Sequence, residues 1–209
     1  MTPEAPRRRD AVVVEELEVV RGGVPVLHRL SLTVAAGTVT GLVGPSGGGK
    51  STLASLMAGE RAPGSGSILV EGLDRGTLGA EGWRRRIALA PQFHENHVLM
   101  GTFAFNVLLG RGWPPGPGDL EAAEEVCRGL GLGDLLDRMP SGMFQLVGET
   151  GWQLSHGERS RLFLARAVLQ GADLVILDEG FAALDPKTLR ECLSFVLDRA
   201  STLLLIAHP

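Results

Sequence analysis

Residues 44–52 read Gly44-Pro45-Ser46-Gly47-Gly48-Gly49-Lys50-Ser51-Thr52, and their surroundings decide the fold. Upstream, Val39 to Val43 has the makeup of a buried strand. Downstream, Leu53, Leu56 and Met57 mark one helical face and Gly59 supplies a stop. Strand, glycine loop and helix start together make an anion cradle. The glycines let several N–H groups point inward, and the helix N-terminus adds positive potential. The pattern of Gly, four residues, then Gly-Lys-Ser predicts that Lys50 reaches the β and γ phosphates of a nucleotide and that the Ser51 hydroxyl ligates Mg²⁺. A glycine-rich turn capping an ordinary helix is the alternative.

Parallel-sheet character is strongest far downstream. Asp173-Leu174-Val175-Ile176-Leu177-Asp178-Glu179 is a continuous apolar strand ending in two acids, and Thr202 to Ala207 is a last buried strand that delivers His208. Ligands of open α/β sheets sit beyond the carboxyl ends of the strands, so the glycine loop, Asp178, Glu179 and His208 are expected to converge on one rim. Charge suggests the roles: Asp178 in the magnesium shell opposite Ser51, and Glu179 polarising a water. A helix cap and a solvent-exposed terminal histidine are the plainer alternatives.

Near the start, Val12 to Val20 and Val24 to Val34 read as strands with Arg21-Gly22-Gly23 at the bend. Pro63 to Ser67 is a turn cluster before a short strand, Ile68 to Val70. Glu81 to Arg86 reads as a short helix leading into the strand Ile87 to Ala90. From Pro91 the pattern changes to helical periodicity over 102–110 and 119–130, with Asp119 as N-cap and no strand for some eighty residues. Leu154-Ser155-His156-Gly157-Glu158 is a capping box, Ser155 as N-cap and Glu158 three residues on, ahead of an apolar helix through Leu162, Ala165 and Leu169. Asp185-Pro186 opens a further helix. The division expected is a tail at 1–10, a nucleotide-binding core at 11–91 and 171–209, and a helical lobe at 92–170, all one domain of 209 residues.

The composition bounds the partners. A 44% hydrophobic content supports a proper core, and a net charge of −4 argues against a broad nucleic-acid footprint. Arg7-Arg8-Arg9 reads as a solvated tail, with contact to anionic lipid or RNA as the alternative. Cys127 and Cys192 fall within apolar helical patterns, as small core residues of a reducing compartment would. No apolar run approaches the ~18 residues that span a bilayer, so the chain reads as soluble, with a membrane partner left open. His94-Glu95-Asn96-His97 lacks a third ligand and the zinc-protease spacing; it reads as polar surface rather than metal site.

With these motifs in order, the chain resembles the ATP-binding cassette of an ABC transporter over nearly its whole length. In the family's terms, 44–51 is the Walker A loop, Gln92 the Q-loop and Leu154 to Glu158 the signature. Leu174 to Asp178 is then Walker B with Glu179 following, Ala183-Leu184-Asp185 the D-loop, and His208 the switch histidine. The fold class implied is an α/β P-loop NTPase with a mainly parallel core, an N-terminal antiparallel β subdomain and an inserted α-helical lobe.

The resemblance further implies ATP and Mg²⁺ as ligands, with Ser51, Gln92 and Asp178 around the metal. It implies a second cassette paired head to tail, so that Ser155 and the Gly157 amide face the γ-phosphate of the opposite Walker A loop. A transmembrane domain would be the other partner, placing the chain at the cytoplasmic face of the membrane, with no nucleic acid involved. His208 would hold the γ-phosphate. Val147 to Gly151 and Gly101 to Gly110 resemble exporter-type stretches; a catalytically weak regulatory cassette, an importer-type cassette and a soluble ABC ATPase are the alternatives.

Several positions depart from the family. No aromatic stands near 20–23, where one usually stacks on adenine, and Arg21 is the expected substitute through its guanidinium plane. His156 replaces a glycine and Glu158 a glutamine, and an added carboxylate is expected to weaken binding across the pair. Gly180 replaces a small polar residue, with little effect expected. The chain stops one residue after His208, where family members continue with a strand and helix. The expectation is a trimmed piece or a natural truncation, with a poorly buttressed histidine loop.

Overall fold

The computed structural model describes residues 10–92, 97–109, 111, 113–179, 181 and 183–207. The readings made for Arg7 to Arg9, His94 to Asn96, Gly110, Gly180 and His208 lie outside the described residues. In chain order the elements are β1 (Asp10–Arg21), β2 (Val24–Ala35), β3 (Val39–Val43), α1 (Lys50–Met57), β4 (Ser65–Val70), α2 (Arg75–Arg84) and β5 (Ile87–Ala90). There follow β6 (Gly101–Thr102), α3 (Phe103–Leu108), α4 (Asp119–Gly129), α5 (Gly133–Arg138), β7 (Leu146–Val147), α6 (His156–Leu169), β8 (Leu174–Asp178), α7 (Pro186–Leu197) and β9 (Thr202–Ala207).

Strands β1 and β2 form a hairpin whose two-residue loop is Gly22-Gly23, at φ 55° and 80°. Two successive positive φ values match the twist of the flanking strands and suit glycine. β4 pairs antiparallel with the other edge of β1. It starts three residues earlier than the turn cluster suggests, because Ser65 and Ser67 donate their hydroxyls across the sheet to Glu18 and Glu15 at 3.2 Å.

The parallel sheet has the order β3-β9-β8-β5. Its central strand β8 is buried on both faces, and the alternation of side chains splits it between two cores. Leu174 and Ile176 pack with Val12, Val14 and Leu17 of β1 and with Leu53 and Met57 of α1. Val175 and Leu177 pack with Phe103, Val107, Leu162 and Leu164 of the helical layer. β3 differs from its expectation as a buried strand: it is an edge, hydrogen-bonded only to β9, and Val39 and Val43 are 55% and 61% exposed.

Residues 92–170 are mostly helical, yet β6 and β7 pair there as a short antiparallel ribbon. Two-residue strands carry too little alternation to be read from sequence. Gly118, not Asp119, is the N-cap of α4; the Asp119 carboxylate turns back to accept from the Gly116 amide at 2.9 Å and from Arg111 at 2.5 Å. α2 is longer than the expected helix over 81–86 and kinks at Gly79. Cys127 and Cys192 are buried, and desolvation pushes their thiols up to about 12 and about 11. No helix among the described residues is long and apolar enough to cross a membrane.

α1 ends as its sequence indicates. Beyond the cap residue Ala58, the Glu60 amide reaches the Ser55 carbonyl at 2.9 Å and the Gly59 amide reaches Leu56 at 3.0 Å, a Schellman closure. Trp83 of α2 seals that end: it is 1% exposed, and its indole N–H donates to the Met57 carbonyl at 2.8 Å. Trp83→Ala is expected to lower stability by about 3–5 kcal/mol through cavity formation and an orphaned carbonyl. Urea unfolding followed by circular dichroism checks this, with Trp83→Phe falling in between.

Candidate functional site

The parallel register brings four strand ends level. Val43 lies beside Ala207, Asp178 beside Ile206, and Ala90 beside Leu177. Beyond that rim opens a cleft of about 470 Å³, lined by Arg21, Val26, Ser46 to Thr52, Ser55, Arg61, Gln92 and Glu179. Thus Arg21, most of the glycine loop, Gln92 and Glu179, far apart in the chain, meet in one place.

The loop is held by its own backbone. Lys50 is buried, and its ammonium donates to the carbonyls of Gly44 at 2.7 Å and Pro45 at 2.9 Å. The Gly48 amide donates to Pro45 O at 3.2 Å, closing the turn. Gly49, the N-cap of α1, sits at φ 81°, and a Cβ there would lie 2.7 Å from Leu27 Cδ2 and 3.0 Å from the Val26 carbonyl. Only glycine lets the loop press this closely on β2.

The start of α1 has no side-chain cap and no acid in its first turn. Compare α4, which also begins on a glycine but carries Asp119 and Glu121 in its first turn. Helix α2 is capped by Asp74, α3 by Thr102, α6 by Ser155 and α7 by Asp185. The positive pole of α1 therefore meets neither a capping side chain nor a first-turn acid, and it lies beside a lysine.

Around this anion seat stand oxygen donors. The Gln92 amide nitrogen donates to Ser51 Oγ at 2.9 Å, joining residues 41 apart in sequence. Asp178 is 1% exposed at the end of β8. Glu179 follows at φ 52°, a left-handed conformation that is unfavourable for a non-glycine residue, and it lines the cleft. Ser51 and Gln92 line the cleft, whereas Asp178 is not among its lining residues; a hydroxyl, an amide carbonyl and a carboxylate are the hard oxygen types that suit Mg²⁺.

Ser155 and Gly157 do not line this cleft. They open α6 elsewhere on the chain, where a Cβ on Gly157 would lie 3.7 Å from the Ala183 carbonyl and from Leu184, so the signature and D-loop stretches are neighbours. The capping box is present: the Glu158 amide donates to Ser155 Oγ at 3.3 Å, and the Ser155 amide donates to Glu158 Oε2 at 2.7 Å. The other carboxylate oxygen of Glu158 accepts from Arg138 at 2.7 Å. The charge that distinguishes Glu158 from glutamine is therefore folded back and paired with a cation.

Arg61 was not singled out in the sequence. It follows the Schellman turn of α1 and is carried to the cleft because the next segment runs back along β1, the Gly64 amide donating to the Glu18 carbonyl at 3.0 Å. Nothing local marks it; only the pairing of β1 with β4 places it.

Known proteins share this arrangement. The family model described as "ABC transporter" matches residues 27–182. The chain is 42% identical over 160 residues to the mycobactin import ATP-binding/permease protein IrtB of Mycolicibacterium thermoresistibile, covering 77% of this chain and 27% of that protein. It is 38% identical over 187 residues to the ABC multidrug transporter MDR2 of Trichophyton rubrum, covering 88% of this chain and 13% of the relative. A bacterial Atm1-family ABC exporter with ATP bound superposes with a TM-score of 0.83 at 30% identity, over 100% of this chain and 36% of that one. The chain thus spans about a quarter of the first of these relatives and less of the second.

Burial works to raise the Glu158 pKa, but the Ser155 amide, the Ser155 hydroxyl and Arg138 together hold it below its ordinary value. A depressed carboxyl stabilises the fold above its unfolded pKa, and that contribution disappears as pH falls through the folded value. Glu158→Gln keeps the capping geometry and loses the ionic part. It is expected to cost about 1 kcal/mol at neutral pH, with the gap to the parent closing below the carboxylate range; unfolding at a series of pH values checks it.

Proposed function

The chain belongs to the ABC transporter family, and from that premise we propose that it is an ATP-binding and hydrolysing cassette that powers an exporter-type transporter by closing on ATP with a second cassette. The observation carrying the reading is the cleft itself: an uncapped helix start and a buried lysine face Ser51, Gln92 and Glu179 across one space.

In this reading Gly44 to Thr52, the glycine loop and first turn of α1, hold the phosphates, every residue but Pro45 having an amide N–H to offer and Lys50 neutralising the β and γ groups. Ser51, Gln92 and Asp178 would hold Mg²⁺, which offsets the charge that builds on the β–γ bridge. Glu179 accepts a proton from a water that attacks the γ-phosphorus in line; the bond to the β-phosphate oxygen breaks, leaving ADP and phosphate. His208 is the proposed partner of the γ-phosphate, and Arg21 stacks on the base.

Ser155 and Gly157 lie away from their own chain's cleft, which supports their serving the opposite subunit's nucleotide. An α6 N-terminus facing a polyanion is favourable, and loss of the γ-phosphate removes the bridging charge, so the pair is a two-state element set by the ligand. The proposed membrane partner docks near the β6–β7 ribbon. There Leu99, Met100, Phe144 and Leu146 are 45–63% exposed, and Gly148 brings its backbone against Met100. Such an apolar surface next to the stretch after Gln92 suits coupling to a transmembrane domain at the cytoplasmic face of the membrane. Relatives named for mycobactin import and for multidrug transport both align, which supports a cassette that drives the cycle and leaves cargo direction to the membrane part.

Glu179→Gln is expected to retain MgATP binding, to lose at least about 100-fold in phosphate release, and to accumulate ATP-bound dimers. Phosphate-release kinetics beside light scattering test this. Unchanged turnover removes Glu179 from the role of base, and a chain that stays monomeric with MgATP and its membrane partner overturns the pairing. Lys50→Ala is expected to abolish ATP binding at concentrations that saturate the parent, as read by calorimetry.

A further inference from the structure

Besides the glycine loop, Gln92 and Glu179, the cleft is lined by Arg21, Val26, Ser55 and Arg61. No aromatic side chain lines the cleft among the described residues, and the chain contains no tyrosine at all. Arg21 closes β1 where the hairpin turns; Arg61 arrives on the segment that the Gly64 amide ties to the Glu18 carbonyl. Two neighbouring chain segments therefore each present a guanidinium to the same space, both exposed and able to move onto a planar ligand.

We propose that Arg61 is a second base-holding guanidinium alongside Arg21, and that the cleft accepts purine nucleoside triphosphates without selecting adenine. This rests on the reading of the cleft as a triphosphate site. A guanidinium plane stacks on any base, since each has a π face, and such stacking carries little base preference. Its edge offers donors alone. Adenine's amino group, itself a donor, finds no acceptor on either arginine; the N7 of either purine can accept from one, and guanine adds O6 as a second acceptor. Val26 contributes shape only. Nothing among these residues rejects guanine, so affinity comes from the phosphates and from stacking.

The test titrates the 209-residue chain with MgATP, MgGTP and magnesium tripolyphosphate in a calorimeter, for the parent, Arg21→Ala, Arg61→Ala and Arg61→Lys. ATP and GTP are expected to bind within about threefold of each other. Each alanine variant weakens both nucleotides by about two- to fivefold and leaves tripolyphosphate unchanged. Lysine at 61 keeps the charge but not the plane, and does not restore affinity. The inference is overturned if GTP binds more weakly than that margin, if Arg61→Ala matches the parent, if lysine restores binding in full, or if tripolyphosphate loses as much as the nucleotides. A parent chain that binds ATP but discards GTP removes this inference and leaves the triphosphate site standing; a parent that binds none of the three overturns both.

Discussion

The structure depends on a helix start that has neither a side-chain cap nor an acid in its first turn. Helices elsewhere in the chain settle their N-terminal amides with Asp74, Thr102, Ser155 or Asp185, or set acids in the first turn as α4 does. α1 does neither. Three features surround its positive pole. The Gly49 backbone presses against β2, Lys50 is buried against the loop's own carbonyls, and the register of β3, β9 and β8 sets the acidic strand ends beside it. A ligand that supplies negative charge completes a helix that the fold leaves incomplete.

The same principle, inverted, accounts for α6. Its N-terminus is capped from within by Ser155 and Glu158, and the glutamate's charge is met by Arg138. One terminus has no side-chain cap, and the other is capped from within and is proposed to serve the opposite subunit's nucleotide. Between them, β8 serves as a common wall: Leu174 and Ile176 face the core of the antiparallel sheet and α1, Val175 and Leu177 the core of the helices. A second link is polar. Arg166 of α6 is buried enough that desolvation lowers its pKa to about 10, so it stays a cation at neutral pH. It donates to the Asn106 carbonyl at 2.6 Å and to the His97 carbonyl at 3.0 Å, while Asn106 holds both the amide and the carbonyl of Leu99 at 2.8 Å. The signature helix is thereby tied to the residues that follow Gln92.

Much of this was legible because strong local signals coincided with global ones. The run from Leu174 to Leu177 is apolar at every position, as a strand covered on both faces must be. Gly22-Gly23 leaves little choice of turn, and Ser155 with Glu158 spells a helix start. Less legible were features made by distance rather than by neighbours. β6 and β7 are too short to alternate, and β3 is apolar yet an edge, since whether a strand has a second neighbour is not written within it. Arg61 looks like any surface arginine until β4 folds back along β1. The Asp119 reading failed by one position because Gly118 takes the left-handed cap conformation and frees the carboxylate to turn toward Gly116 and Arg111.

Glu179 shows fold and chemistry pulling in opposite directions. A side chain at φ 52° costs about 1 kcal/mol that glycine would not, so selection for heat resistance alone would drift toward Gly or Asn at this position. The variants that melted latest would be those whose carboxyl had gone. If Glu179 is the base proposed above, ranking such a library by melting temperature would enrich inert molecules, and screening for turnover first is the order of operations that the backbone itself recommends.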